Sequence, residues 1–164
     1  MASNHPAVPN PAADGIWRPD ATVATIVERD GRFLFVEERV RGRLVINQPA
    51  GHLEPGEALV DAAVRETLEE TGWIVRPLAL VGIYQWTSRH DRASFLRFTF
   101  CAAAVEQLAD AVLDRGIERV LWLSRAELEA RREFARSPLV ARGVDDWLAG
   151  RRIPLDSLQC LGAD

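Results

Sequence analysis

Residues 51–73 read GHLEPGEALVDAAVRETLEETGW, and this stretch decides the fold. Its first part is a loop signal, with Gly51, Pro55 and Gly56 too closely spaced for a helix or a central strand. From about Ala58 to Thr71 the pattern turns helical. Leu59, Ala62, Ala63 and Val64 give one apolar or small side, Asp61 stands near the positive end of the macrodipole, and Gly72 supplies the stop. Glu66, Glu69 and Glu70 then fall at i, i+3 and i+4, within roughly 100° of arc on one face.

Like charges at that spacing destabilise a helix by roughly 0.2–0.5 kcal/mol per pair. Near the C-terminal end the macrodipole disfavours anions as well. A solvated acidic face is one reading of this stripe, although ordinary surface design would interleave bases here. A hard divalent cation resolves the repulsion better, since Mg²⁺ takes oxygen ligands, commonly one or two carboxylates together with substrate phosphates. Arg65 is placed to pair with one carboxylate of the stripe.

Working outward, the 164-residue chain carries a net charge of -4, and residues 51–72 hold six carboxylates against the single base Arg65. The acidity is local to this segment. All 20 basic side chains are arginine, which excludes a Schiff-base lysine, a pyridoxal-phosphate anchor and a Walker A lysine. A sequence pI near 5.5 argues against binding to a nucleic acid polymer. Two cysteines, Cys101 and Cys160, are too few for a disulfide framework or a Cys-based zinc site. No apolar run approaches the roughly 18 residues of a membrane span. Residues 1–19, rich in Pro, Ala and Asn, read as a flexible lead-in and not as a signal peptide, with one domain over residues 20–164. A cytoplasmic location follows.

Strand signals lie at Ala21–Glu28 and Phe33–Glu38 around an Asp30-Gly31 hairpin turn, and again at Leu44–Asn47 after a basic loop. Residues Gln48–Glu57 read as irregular. Beyond the helix, Leu78–Thr87 and Phe95–Val105 read as long strands around a polar turn, and Arg119–Leu123 as a further strand. Ser124 and Glu127 have capping-box spacing and start a short helix to about Glu133; a last helix runs from Pro138 to Leu148. This order implies an α/β fold with a mixed sheet between helical layers.

The spacing Gly51, Glu57, Arg65-Glu66-Thr67-Leu68-Glu69-Glu70-Thr71-Gly72-Trp73 resembles the Nudix box, Gly-x5-Glu-x7-Arg-Glu-U-x-Glu-Glu-x-Gly-U, where U is a bulky apolar residue. Thr67, half-polar at the first U position, departs from it. The resemblance implies an α/β/α sandwich and Mg²⁺-dependent hydrolysis (with Mn²⁺ as a substitute) of a nucleoside diphosphate linked to a further moiety. By position it makes Glu66, Glu69 and Glu70 metal-binding carboxylates, with the Gly51 carbonyl a further ligand. Glu57 positions the helix and Arg65 forms ion pairs. Glu69 is the expected general base, with Glu66 beside it in the catalytic set and Glu118 in reserve. Asn47–Glu54, Gln85-Trp86, Phe95–Phe98, Ser137–Val140 and Pro154-Leu155 together resemble the NudJ-type phosphatase subfamily. That resemblance implies phosphate release from nucleoside di- and triphosphates or thiamin-related pyrophosphates. Two alternatives stay open: hydrolysis of a nucleotide-sugar or oxidised nucleotide, and a non-catalytic nucleotide sensor.

Four further residues are candidates for substrate binding. Trp86 could stack on a base and Gln85 hydrogen-bond it. Arg97 is a lone charge in an apolar strand and needs a partner, a substrate phosphate or a structural carboxylate. Arg43 is the loop arginine nearest the carboxylates in sequence. His52 reads as a loop-fixing residue, and His5 and His90 as surface. The expected partner is a small pyrophosphate, with no membrane and no nucleic acid polymer, acting as a monomer or a homodimer.

Overall fold

The computed structural model describes residues 16–90 and 92–161. The expected lead-in at residues 1–19 therefore lies outside the described residues except for its last four, as does His5. Strand β1 (Asp20–Arg29) turns through Asp30 and Gly31, both at positive φ, into β2 (Arg32–Val40). A second tight turn, with Arg41 and Gly42 at positive φ, leads into β3 (Arg43–Asn47). Both are two-residue hairpin turns whose twist matches that of the strands.

A short strand β4 (Ala50–His52) precedes helix α1 (Leu59–Thr71). Then come β5 (Trp73–Thr87), β6 (Ser94–Gln107), β7 (Ile117–Leu123), α2 (Arg125–Ala130), a 3₁₀ turn (Arg132–Phe134) and α3 (Pro138–Leu148). The sheet runs β3-β2-β1-β6-β5, with β4 paired to β1 and β7 to β2. All its ladders are antiparallel except β1 with β6, which is parallel from Asp20↔Phe95 to Val27↔Ala102. The mixed sheet is as expected.

Alternation along the strands gives each helical layer its own core. Leu80 and Phe100 meet Ala62, Ala63 and Val23 under α1. Their neighbours Val81 and Cys101 face the other way, onto Val140 and Val144 of α3 with Ile26 and Phe35. The hydroxyl of Thr67 is fully buried and donates to Ala63 O at 2.7 Å, so the departure from the box pattern is satisfied inside the helix. Among the described residues no helix is long and apolar enough to cross a membrane.

Three boundaries differ from the reading. β4 occupies part of the segment taken as irregular, because Gly51 pairs with Val23 in spite of the flanking prolines. β5 begins at Trp73 and not at Leu78, and absorbs Pro77 through a register shift against β6. The capping box of Ser124 forms, but α2 stops at Ala130 and a separate 3₁₀ turn follows.

Candidate metal and substrate site

The α1 stripe faces β4. Gly51 stands against Glu66 so closely that a Cβ on Gly51 would coincide with the Glu66 carboxylate. Its φ is not in the left-handed region, so the glycine is required here for space. Glu70 lies one turn on, buried, with its Oε2 accepting the Ala50 N–H at 2.9 Å. Burial pushes the Glu70 carboxyl up to about 8; the Ala50 N–H opposes this, while Glu38, Glu66 and Asp114 add to it. Burial likewise raises Glu66.

Arg65 holds more than the single carboxylate expected. Its Nε and Nη2 donate to the two oxygens of Glu57 at 2.8 and 2.9 Å, and its Nη1 reaches Glu66 Oε1 at 2.7 Å and Glu69 Oε2 at 3.0 Å. A fifth bond, Nη2 to His52 O at 3.1 Å, ties the arginine back to β4. These bonds, that to Glu57 foremost, raise the pKa of Arg65, and the hydrogen bond from Arg65 holds Glu57 below the usual carboxylate range. Glu57 in turn accepts the Glu54 N–H at 3.2 Å, which closes the loop ahead of α1. The planar guanidinium fork makes such a hub possible. It also relieves part of the repulsion for which a cation was invoked from sequence.

Glu66, Glu69 and Asp114 each bring a carboxylate oxygen within 4.8 Å of the others, a group that could hold a metal ion. Asp114 escaped the sequence reading. It sits in the loop between β6 and β7, and its backbone N–H donates to Glu69 O at 2.9 Å while Leu108 N–H donates to Gly72 O at 2.9 Å. The loop thus caps the C-terminal end of α1, and the acid is positioned by main chain. The only signal in the sequence is an acid in a loop of otherwise unassigned purpose. Conversely, Glu70 is not one of the three, and Glu118 is bound to Arg39 at 2.9 Å on the exposed side of β7.

The expected substrate residues divide. Trp86 stacks on its cross-strand neighbour Phe95, centroids 5.6 Å apart, and Tyr84 opposes Arg97 on the same face. Gln85 is exposed and one residue out of phase, so it points to the opposite side of β5 and cannot read a ring held by Trp86. Arg43 is exposed at the far end of β3, four residues, about 13 Å of strand, from Asn47. The structure does not bring it to the site.

Arg97 is 8% exposed and its Nη2 donates to Asn47 Oδ1 at 3.4 Å. Among the described residues it has no carboxylate within salt-bridge distance, and its buried Nη1 has no hydrogen-bond partner. Asn47 also donates to Glu38 Oε1 at 3.3 Å, and Glu38 Oε2 accepts from Arg136 Nη1 at 2.9 Å. Burial, then Arg136, lower the Arg97 pKa to about 10, against the pull of Glu38 and Glu70.

The NUDIX domain family model matches residues 17–143. The chain belongs to the Nudix family. Phosphatase NudJ from Escherichia coli (strain K12) is 40% identical over 144 residues, covering 87% of this chain and 92% of the relative. Phosphatase NudJ from Shigella sonnei (strain Ss046) matches to the same extent. A NUDIX hydrolase from Nitrosomonas europaea superposes with a TM-score of 0.88 at 45% identity, over 90% of this chain and all of that one. The MutT NUDIX hydrolase from Burkholderia pseudomallei, at 18% identity and a TM-score of 0.68, covers 79% of this chain and 98% of its own, and shares the fold. As a Nudix hydrolase the protein acts on phosphorus-containing anhydrides. The Nudix box is the loop, cradle and carboxylate stripe described above.

Proposed function

We propose that this Nudix hydrolase cleaves phosphate anhydride bonds of nucleoside di- and triphosphates or thiamin-related pyrophosphates, releases phosphate, and requires Mg²⁺, with Mn²⁺ as a substitute. The observation that carries this reading is the convergence of Glu66, Glu69 and Asp114 at the rim of the Gly51 cradle. An all-oxygen donor set suits a hard cation, and the close approach of Gly51 fits a site whose carboxylates must be fixed. Glu66, Glu69 and Asp114 would hold the ion, with the free oxygen of Glu70 and the Gly51 carbonyl beside them. When bound, the ion would polarise phosphate oxygens and acidify water.

The chain's own groups supply the rest. Arg65 fixes one oxygen of Glu66 and one of Glu69 and leaves the second oxygen of each free of the guanidinium. Glu69, with a side chain 42% exposed against 12% for Glu66, is the group we assign to take the proton from the attacking water. Arg97 and Trp86 contact substrate. A cytoplasmic protein, monomeric or dimeric, fits this reading.

The test is a panel of diphosphates, triphosphates and thiamin pyrophosphate, assayed separately for phosphate and pyrophosphate, with and without Mg²⁺. Phosphate from a diphosphate, lost in EDTA and in Glu69→Gln, supports the reading. Full activity in EDTA, or release of only a nucleoside monophosphate from a sugar nucleotide, contradicts it.

A further inference from the structure

The chain leaves α3 through Gly150, at positive φ, and residues 151–158 cross from the α3 layer to the α1 layer around the outer edge of β5. The start of this strap is fastened to α3. Arg151 N–H donates to Asp146 O at 3.1 Å, Arg152 Nη1 donates to Trp147 O at 3.0 Å, and the Arg152 guanidinium lies 4.7 Å from the centre of the Trp147 ring. Ile153 then exchanges both main-chain hydrogen bonds with Leu80, at 2.8 and 2.9 Å, and so covers part of the edge that β5 presents. A 3₁₀ turn, Leu155–Ser157, follows. Leu155 and Leu158 pack against the cluster of Val23, Leu80 and Phe100 with Ala62 and Ala63 of α1.

The two ends of α1 are held differently. At its C-terminal end the loop between β6 and β7 makes two main-chain bonds, Leu108 N–H to Gly72 O and Asp114 N–H to Glu69 O. At its N-terminal end Ala58 makes no side-chain cap bond. Ala62 and Ala63 are fully buried with one methyl group each, so larger side chains must shut water out of their cluster. Leu53, Leu59 and Val60 do so from within residues 51–73, whereas Leu155 and Leu158 come from a segment anchored on the opposite layer. Glu66 follows Ala63 by three positions and Ala62 by four, so this cluster seats the helical turn directly before the first carboxylate.

We propose that Leu155 and Leu158 are positioning residues: their strap holds the N-terminal half of α1 on the sheet and thereby fixes the carboxylates that α1 carries. The hold on the helix stands on the packing alone. Its consequence for a metal ion rests on the hydrolytic reading above.

The test is hydrogen–deuterium exchange of the full chain without metal, followed by calorimetric titration with Mn²⁺. It compares the parent, Leu155→Ala/Leu158→Ala and, as a control, Val140→Ala, which opens the core on the α3 side. In the strap variant the protection of α1 should fall about tenfold or more relative to that of α3, and in Val140→Ala the reverse. Mn²⁺ should bind the strap variant about tenfold more weakly and Val140→Ala within about twofold of the parent. If circular dichroism shows the double variant unfolded, Leu158→Ala alone carries the test. The proposal is overturned if α1 keeps its protection, if both variants lose protection evenly throughout, or if Mn²⁺ binds the strap variant like the parent. A parent that takes up no Mn²⁺ would overturn the metal reading alone, and the exchange of α1 would then decide the strap.

Discussion

The carboxylate of Glu66 fills the volume that a side chain on Gly51 would need. The two residues are parts of one device: a strand without a side chain is the wall against which an acid on the neighbouring helix is held. Gly51→Ala should therefore displace Glu66 without disturbing any backbone preference. Metal affinity and kcat/KM should drop about 10–100-fold, the range for lost ligand support. Calorimetric titration with Mn²⁺ and steady-state kinetics measure the two effects, and unchanged affinity would separate the cradle from the metal.

Arg65 joins Glu57, Glu66 and Glu69, all partly or mostly buried. Arg65→Gln removes the one cation among them. The metal-free protein should lose about 2 kcal/mol, between the values for exposed and buried ion pairs. Mg²⁺ should restore more stability to the variant than it adds to the parent, because the ion then meets uncompensated carboxylates. Urea melts with and without Mg²⁺ decide this.

Asp114 and Glu118 make a matched comparison, two acids four residues apart with different neighbours. Asp114→Asn should lower kcat/KM about 10–100-fold, because its oxygen lies within 4.8 Å of those of Glu66 and Glu69. Glu118→Gln loses only an exposed pair with Arg39 and should stay within about twofold. The reverse ranking would remove Asp114 from the carboxylate group and restore Glu118 as a candidate general base.

The acid limb of stability should report Asp146. It is a buried residue of α3, and accepts from Tyr84 at 2.9 Å and Arg142 at 2.8 Å, with Arg151 at 3.3 Å. Burial alone would raise its pKa, but these partners outweigh that and hold it below the ordinary value. Because the folded value is the lower one, the stabilisation is complete above about pH 4 and is lost as the pH falls toward the folded value. Asp146→Asn should be less stable at neutral pH and should show a flatter decline below about pH 4. Thermal melts across that range would show it.

What was legible in the sequence was local. Gly72 does end α1 at positive φ, Ser124 and Glu127 do form a capping box, and the Asp30-Gly31 pair does make the first hairpin. Each of these is set within a few residues. The box also placed Glu66, Glu69 and Gly51 together, since its spacing spans only the strand and helix that carry them. Asp114 was not legible, because its place depends on where a loop some 45 residues away settles on the helix end. Gln85 failed for a simpler reason. Neighbours along a strand face opposite ways, so its pairing with Trp86 in the reading ignored the period of the element.

The parallel pairing of β1 with β6 sets an order of events during synthesis. Strand β4, which carries Gly51, has its ladder with β1 alone among the described residues, and β1 finds its long partner no earlier than Ser94–Gln107. Closing so long a loop is slow even where its equilibrium cost rises only gently with length. A nascent chain that has exposed all of residues 51–73 but has not released β6 carries every letter of the motif while β1, the partner of β4, still lacks its long parallel neighbour. An ion held by these carboxylates would then reward only the finished sheet, so it would act as a brake on unfolding and leave the speed of folding to the sheet.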